Sequence, residues 1–302
     1  MDDIEKIYVS IEYEELRLDQ FLAEYFNEYS RSHFQKLIKE KNVLVNGVEE
    51  KASYKVSVDD EITVKNIKPK EIDIVPEDIP LDILYEDSDV LIVNKPKGMV
   101  VHPAPGHQSG TLVNAIMFHC KDDLSGINGE IRPGIVHRID RDTTGSLIIC
   151  KNDYSHNFIA EQIKEHSANR IYRGIVVGNL TDDGLVDAPI GRDEKERKKM
   201  AINKVHGKEA VTHYRVLKNY DGYTYVEFKL ETGRTHQIRV HMASIGHPLL
   251  GDEVYGKKSS KFKLEGQTLH AMKIGFIHPT TKEYMEFDAP LPEYFSHLLD
   301  IL

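Results

Sequence analysis

Residues Gly134 to Asp153 read G-I-V-H-R-I-D-R-D-T-T-G-S-L-I-I-C-K-N-D. Ile135 and Val136 make a short apolar entry. His137 to Gly145 make a polar turn, and Leu147 to Cys150 an apolar strand. A turn so rich in charge, set between two apolar runs, is costly to bury unless its groups are paired. Charged and hydroxyl-bearing turns on a rigid scaffold are also where catalytic groups concentrate. The plain alternative is a loop whose aspartates make turn hydrogen bonds. The rest of the chain has to decide between the two.

Downstream, Asp153 or Ser155 is expected to cap a helix that carries Phe158, Ile159, Gln162 and Ile163. Arg170 to Val177, R-I-Y-R-G-I-V-V, follows as a strand. A tyrosine in a strand, such as Tyr172, is ordinarily packing. Residues 192–208 hold the densest basic cluster, R-D-E-K-E-R-K-K-M-A-I-N-K-V-H-G-K. Such a run is a solvated loop or a phosphate contact, through Arg197, Lys198, Lys199, Lys204 and Lys208. Ala210 to Leu217 and Tyr223 to Leu230 form paired strands around Asp221-Gly222. Residues 231–252 read E-T-G-R-T-H-Q-I-R-V-H-M-A-S-I-G-H-P-L-L-G-D. Their pattern is helical from Thr235 and stops at Gly246, with Pro248 beyond. Strands at Leu269–Ile277 and Tyr284–Phe287 and a helix from Glu293 close the chain.

Upstream, Ile83 to Asp87 and Val90 to Val93 are strands, ahead of a tight turn at Asn94-Lys95-Pro96-Lys97-Gly98. Gly110 to Ala115 opens a short helix. Residues 67–80 carry Pro69, Pro76 and Pro80 and mark a domain boundary. Before it, Leu18, Phe21, Leu22, Tyr25 and Phe26 share one helical face. Ser32 and Gln35 form a capping-box pattern for a second helix. That helix turns Phe34, Leu37 and Ile38 inward and leaves Arg31, Lys36, Lys39 and Lys41 on its surface. Val43 to Val48 is a hairpin with an Asn46-Gly47 turn, and a last strand lies near Ile62 to Val64.

The central string, H-R-I-D-R-D-T-T-G, resembles the H-R-L-D-x-x-T-S-G motif of the RluA/RluD family of RNA pseudouridine synthases. Ile139 and Thr144 are mild departures. Tyr85 to Gly98 resembles the family's Y-E-D-x-x-x-L-V-V-N-K-P-x-G string, a structural motif. Gly233 to His241 resembles its G-R-T-H-Q-I-R-V-H motif. The N-terminal helix-helix-V-x-V-N-G pattern is similar to an S4-type RNA-binding domain. The resemblance implies an isomerase acting on RNA, with Asp140 rather than Asp142 as the catalytic aspartate, Tyr172 as the active-site tyrosine and Arg239 as the partner of Asp140. Arg138, Arg234, Arg31, Lys36, Lys39, Arg197, Lys198, Lys199 and Lys204 are then the candidate RNA contacts. The expected fold is α+β. A small α+β S4-type domain over 1–68 and a linker over 69–80 precede a catalytic domain over 81–302 with a mixed, largely antiparallel sheet and flanking helices.

The totals fit this picture with one tension. The chain of 302 residues is 40% hydrophobic and 29% charged, as in a soluble globular protein. No apolar run approaches membrane-spanning length, and the acidic start M-D-D-I-E-K-I lacks a signal-peptide core. Cys120 and Cys150 make no disulfide framework, so a reducing cytoplasm is expected. The formal net charge of −10 argues mildly against nucleic acid, unless the basic residues are clustered. His102, His107, His119 and Cys120 match no zinc spacing, so no metal and no cofactor are expected. The expected partner is 23S ribosomal RNA or its large-subunit precursor, bound by a monomer.

Breaking a uridine's glycosidic bond and rejoining the base through C5 needs an ionised carboxylate near the ribose and a pocket for a flipped nucleotide. An adjacent Arg239 favours the ionised form of Asp140. Tyr172 offers a stacking face and a hydroxyl. Two rivals remain: a glycosidase with a second carboxylate and water, and a non-enzymatic RNA-binding protein. The absence of tryptophan, a common sugar-stacking platform, speaks against the first.

Overall fold

The computed structural model describes residues 4–26, 29, 31–65, 74–103, 107–121, 123–125, 133–194, 196, 199–257 and 261–302. They fall into two compact units, Met1–Ile72 and Asp73–Leu302.

The first unit contains β1 (Ile4–Tyr8), α1 (Leu18–Tyr25), α2 (Arg31–Lys39), β2 (Val43–Val45), β3 (Val48–Glu49) and β4 (Glu61–Lys65). Its antiparallel sheet runs β1-β4-β2-β3. Asn46 and Gly47 both have positive φ, 51° and 79°, as a two-residue type I′ hairpin requires. The apolar faces of α1 and α2 meet the sheet in one core of Leu18, Phe21, Leu22, Phe34, Leu37, Val43, Ile62 and Val64. Each such side chain contributes about 1.5–3 kcal/mol by leaving water. α2 starts at Arg31, one residue ahead of the Ser32 expected to cap it, and Gln35 donates to Asp19 at 2.6 Å. Asp19 is fully buried at the helix junction and also takes Arg17 and Arg31, at 3.0 and 2.9 Å. A buried carboxylate needs those partners, which is why Arg31 faces it.

The second unit contains β5 (Ile83–Glu86), β6 (Val90–Lys95), α3 (Leu112–Cys120), β7 (Thr144–Cys150), α4 (Asp153–Lys164), β8 (Asn169–Val177), β9 (Gly184–Asp187), β10 (Ile190–Arg192), β11 (Met200–Ile202), β12 (Val211–Tyr220), β13 (Tyr223–Leu230), α5 (Gln237–Ser244), β14 (Leu269–Ile277), β15 (Tyr284–Asp288) and α6 (Glu293–Ile301). Its large sheet runs β5-β6-β7-β14-β8-β13-β12-β9, with β15 also on β14. β14 and β7 pair in parallel, His270 with Thr144 and Ala271 with Gly145, while the other pairings are antiparallel. The sheet is therefore mixed and largely antiparallel, as expected. Gly145 has φ 108°, and a Cβ there would collide with the Ala271 backbone.

β6 and β7 are buried on both faces, which explains their unbroken apolar runs. Their period of two splits the core. Leu91, Val93, Leu147 and Ile149 pack with α3, whereas Val90, Ile92, Ile148 and Cys150 pack with Ile159 and Phe276. The cap of α4 is Asn152, not Asp153 or Ser155. Its side chain accepts from the Ser155 amide at 2.9 Å, and Ser155 Oγ accepts from the Asn152 amide. An Asx side chain at N-cap satisfies the orphan amides one turn on. Residues 74–80, expected at the end of the linker, pack on this unit. Ile74 is in its core, Asn114 donates to the Val75 carbonyl at 2.8 Å, and Gly110 donates to the Glu77 carboxylate. Among the described residues no helix is long and apolar enough to cross a membrane.

Candidate active site

Asp140 sits on the turn that enters β7, Tyr172 on β8 and Arg239 on α5. The fold brings the three into one cleft of about 60 Å³, together with Arg138, Thr143, Leu230 and His236. The turn is closed by a 3.1 Å bond from the Thr143 amide to the Asp140 carbonyl. Behind it, the buried Lys95 donates to three carbonyls, those of Pro96, Met99 and Arg141, at 2.8, 2.8 and 2.9 Å. Lys95 thereby ties the first motif to the residue after Asp140.

Arg239 donates through Nη1 to Asp140 Oδ2 at 2.9 Å. Its Nε and Nη2 go to Asp252, at 2.7 and 3.0 Å, in a buried bidentate pair. Asp252 is fixed in turn by the amides of Val254 and Tyr255. Burial works against the Arg239 charge, but Asp252 and Asp140 outweigh it and push the guanidinium above its ordinary range. Asp140 keeps 19% of its side chain exposed, so it faces both the cleft and its cation. Asp142 is engaged elsewhere, with Arg141 at 3.0 Å.

Tyr172 is 8% exposed, and burial holds its hydroxyl above the usual range, with Arg170 opposing and Asp140 adding to the shift. His236, left-handed with φ 58°, stands at the start of α5. Its Nε2 is 3.7 Å from Asp140 Oδ1, and its Nδ1 is 2.8 Å from the Tyr255 hydroxyl. That hydroxyl also accepts from the Met200 amide. Burial lowers the His236 pKa and favours the neutral imidazole, opposed by Asp140.

Of the expected RNA contacts, Arg138 and Arg234 line the cleft. Arg31, Lys36 and Lys39 are on α2 of the first unit. Lys199 pairs with Glu196 at 2.7 Å and Lys204 is exposed, both around the β10–β11 hairpin. Arg197 and Lys198 lie outside the described residues. His102, His107, His119 and Cys120 form no common ligand cluster among the described residues, whereas Asp87, Asp89 and His278 come within 4.8 Å of one another. Those three are already engaged. His278 is 2.8 Å from Asp87, its Nδ1 accepts from Thr281, and Asp89 accepts from Thr280 and Asn152. The cluster is a clasp between the β5–β6 turn and the segment after β14.

The RNA pseudouridylate synthase family matches residues 89–244, and the S4 domain family matches residues 16–62. The chain belongs to the RNA pseudouridylate synthase family. It is 52% identical to an uncharacterized RNA pseudouridine synthase of Bacillus subtilis, over 98% of this chain and 97% of that one. It is 40% identical to the ribosomal large subunit pseudouridine synthase D of Escherichia coli, over 95% of this chain and 90% of that one. Among solved structures, human RNA pseudouridylate synthase domain containing 1 has the same fold. Its TM-score is 0.57 at 24% identity, over 78% of this chain and 96% of that one. The chain is thus an RNA pseudouridine synthase with an N-terminal S4 domain, as the motifs implied. Asp252, His236 and Tyr255 also hydrogen-bond within the site, and nothing in the sequence alone marks them for it. Asp252 closed the quoted 231–252 string, but an acid after a glycine turn looks like any turn residue.

Proposed function

We propose that this enzyme isomerises uridines of 23S ribosomal RNA, with Asp140 as the reacting carboxylate on a flipped nucleotide. The observation that carries the reading is the shared cleft. Asp140 is held in it by Arg239, itself locked to Asp252, and Tyr172 forms the wall. In the reaction the N1–C1′ bond breaks, the uracil turns, and a C5–C1′ bond forms. A proton leaves C5 and N1 takes one up, so nothing is oxidised and no group is transferred in. A carboxylate next to a fixed guanidinium suits the charge that develops on the ribose. Tyr172 stacks on the base and, held protonated, is a proton donor. Arg138 and Arg234 hold phosphates at the cleft mouth. Arg31, Lys36 and Lys39 of the S4 domain, with Lys199 and Lys204, are further RNA contacts.

The large-subunit substrate rests on the relatives named for it. A reducing cytoplasm fits the free, buried Cys120 and Cys150. Hydrolysis is disfavoured because Asp252 has both oxygens on Arg239 and no exposed surface, so it is not placed to activate water. The test is tritium release from 23S ribosomal RNA labelled at uracil C5. Isomerisation releases the label to water, hydrolysis yields free uracil, and binding alone releases nothing.

A further inference from the structure

A second pocket, of about 510 Å³, adjoins the Asp140 cleft. Arg138, Tyr172, Leu230 and Arg234 line both it and the Asp140 cleft. Its remaining ionisable lining residues are His137, Lys164, His166 and Arg170, and no carboxylate among the described residues contributes. Lys164 is bonded to Glu161 outside the lining. His137 Nε2 accepts from the Ile148 amide at 3.0 Å, so that imidazole is neutral.

Arg170 is the unusual member. Strand alternation puts it on the same face of β8 as Tyr172, about 6.6 Å along the strand. It is 6% exposed, and its Nε and Nη2 are buried with no hydrogen-bond partner. A buried guanidinium without an anion is destabilising by several kcal/mol, and a buried polar group left unsatisfied in a folded protein calls for a reason. The chain makes room for it: a Cβ on Gly233 would stand 2.6 Å from Arg170 Nη1. A planar fork with unpaired donors, in a basic pocket lined by no carboxylate among the described residues, is suited to a phosphate oxygen pair.

We infer that this pocket seats the phosphodiester next to the target uridine, with Arg170 as its buried anchor and Arg138 and Arg234 at the rim. The inference rests on the uridine occupying the Asp140 cleft, as proposed above. The strand spacing then sets base and phosphate on one side chain each, which fixes the nucleotide's register before any chemistry begins.

The test uses the full chain and 23S ribosomal RNA, with Arg170→Met, which keeps length and loses charge. Filter binding at two salt concentrations is expected to show affinity about tenfold weaker. The slope of log affinity against log salt should become shallower by about 0.7, one single-strand phosphate contact. The melting temperature without RNA should stay level or rise, because an unpaired buried cation is gone. A merely structural Arg170 predicts the reverse: lower stability with an unchanged salt slope. Should Arg170→Met not fold, Gly233→Ala decides. It keeps every charge but displaces the guanidinium, and unchanged affinity in that variant overturns the inference. Tritium release by the wild type is measured alongside. Its absence would sink the uridine reading, while release together with unaltered binding in both variants would sink the phosphate seat alone.

Discussion

Arg239 gives two of its donors to Asp252 and one to Asp140. The bidentate half fixes the plane of the guanidinium, and the remaining Nη1 can then point in one direction only. Asp252 is a positioning residue in this arrangement, with no contact to the cleft. Asp252→Asn should lower kcat by about a hundredfold, the scale of an ångström-sized misplacement, and leave KM for RNA within about threefold. Single-turnover kinetics of the folded variant check this, and wild-type kcat would refute the positioning role.

The two aspartates of the turn should separate cleanly. Asp140→Asn keeps the shape and a hydrogen bond to Arg239 but has no carboxylate, so RNA binding should persist with no detectable isomerisation. Asp142 is tied to its neighbour Arg141, and Asp142→Asn should retain substantial activity. Tritium release from both variants decides, and a reversal of the phenotypes would mean that the wrong carboxylate has been assigned.

Tyr172→Phe keeps the stacking face and removes the hydroxyl. RNA affinity should be unchanged and turnover should fall by about 10²–10⁴-fold, the range for general acid–base groups. Tyr172→Ala should weaken binding as well. Because burial raises the hydroxyl's pKa above its ordinary 10.0, the wild-type rate should show no loss from tyrosine ionisation as pH rises toward 10. A pH–rate profile that breaks downward well below that value, and does so only when the hydroxyl is present, would refute this assignment.

How far these features could be read in the sequence depended on how local their signals are. Asp140, Tyr172 and Arg239 stand in three strings whose residue order is itself distinctive. The strands at Leu147–Cys150 and Tyr223–Leu230 announce themselves by apolar runs or alternation. β1 did not, because Ile4–Tyr8 is an exposed edge strand with only Ile7 buried. β10 and β11 were hidden because Ile190, Met200 and Ile202 flank a run dominated by charge, although they pack with Val240 of α5 and Tyr255. Asp252 acquires its meaning only when the chain after α5 returns beneath Arg239, a tertiary fact. Arg170 was different, since parity with Tyr172 already put a charge on the inward face of a strand. Arg31 shows the opposite hazard: a basic residue on a surface helix that is partly engaged with a buried acid.

Asp19 makes the stability of the S4 domain acid-sensitive. Burial alone would raise its pKa, but hydrogen bonds from Arg17, Arg31 and Gln35 outweigh this and hold it well below the ordinary 3.8. A folded value below the unfolded one adds stability that is fully present above pH 3.8 and drains away as the pH falls from there toward the folded value. Hydrogen exchange of α1 and α2 amides should accelerate on acidification through that window. Asp19→Asn should lower protection at pH 7 by about 2 kcal/mol, the scale for hydrogen bonds to a charged group, and flatten the acid dependence. Equal protection of variant and wild type at both pH values would show that the cluster contributes nothing.

The division of labour between the two units leads to a prediction about salt. Ile74, Val75 and Glu77 belong to the second unit's packing, so a truncation meant to leave that unit intact should begin at Asp73 rather than after residue 80. An RNA-binding module tethered to a catalytic one raises affinity by effective concentration without touching the chemistry. With a net charge of −10, the whole molecule repels RNA at long range, and local clusters have to supply the attraction. Arg31, Lys36 and Lys39 make such a cluster on α2. If each meets one phosphate, losing all three should make the salt slope shallower by about 2. The chain from Asp73 should therefore isomerise uridine at saturating RNA with a kcat close to that of the full chain, but with a higher KM that changes less with salt. Steady-state kinetics of both chains at two salt concentrations measure this. A folded truncation with the full chain's KM and salt slope would refute the S4 domain as anchor, and the basic residues around β10 and β11 would become the stronger candidate.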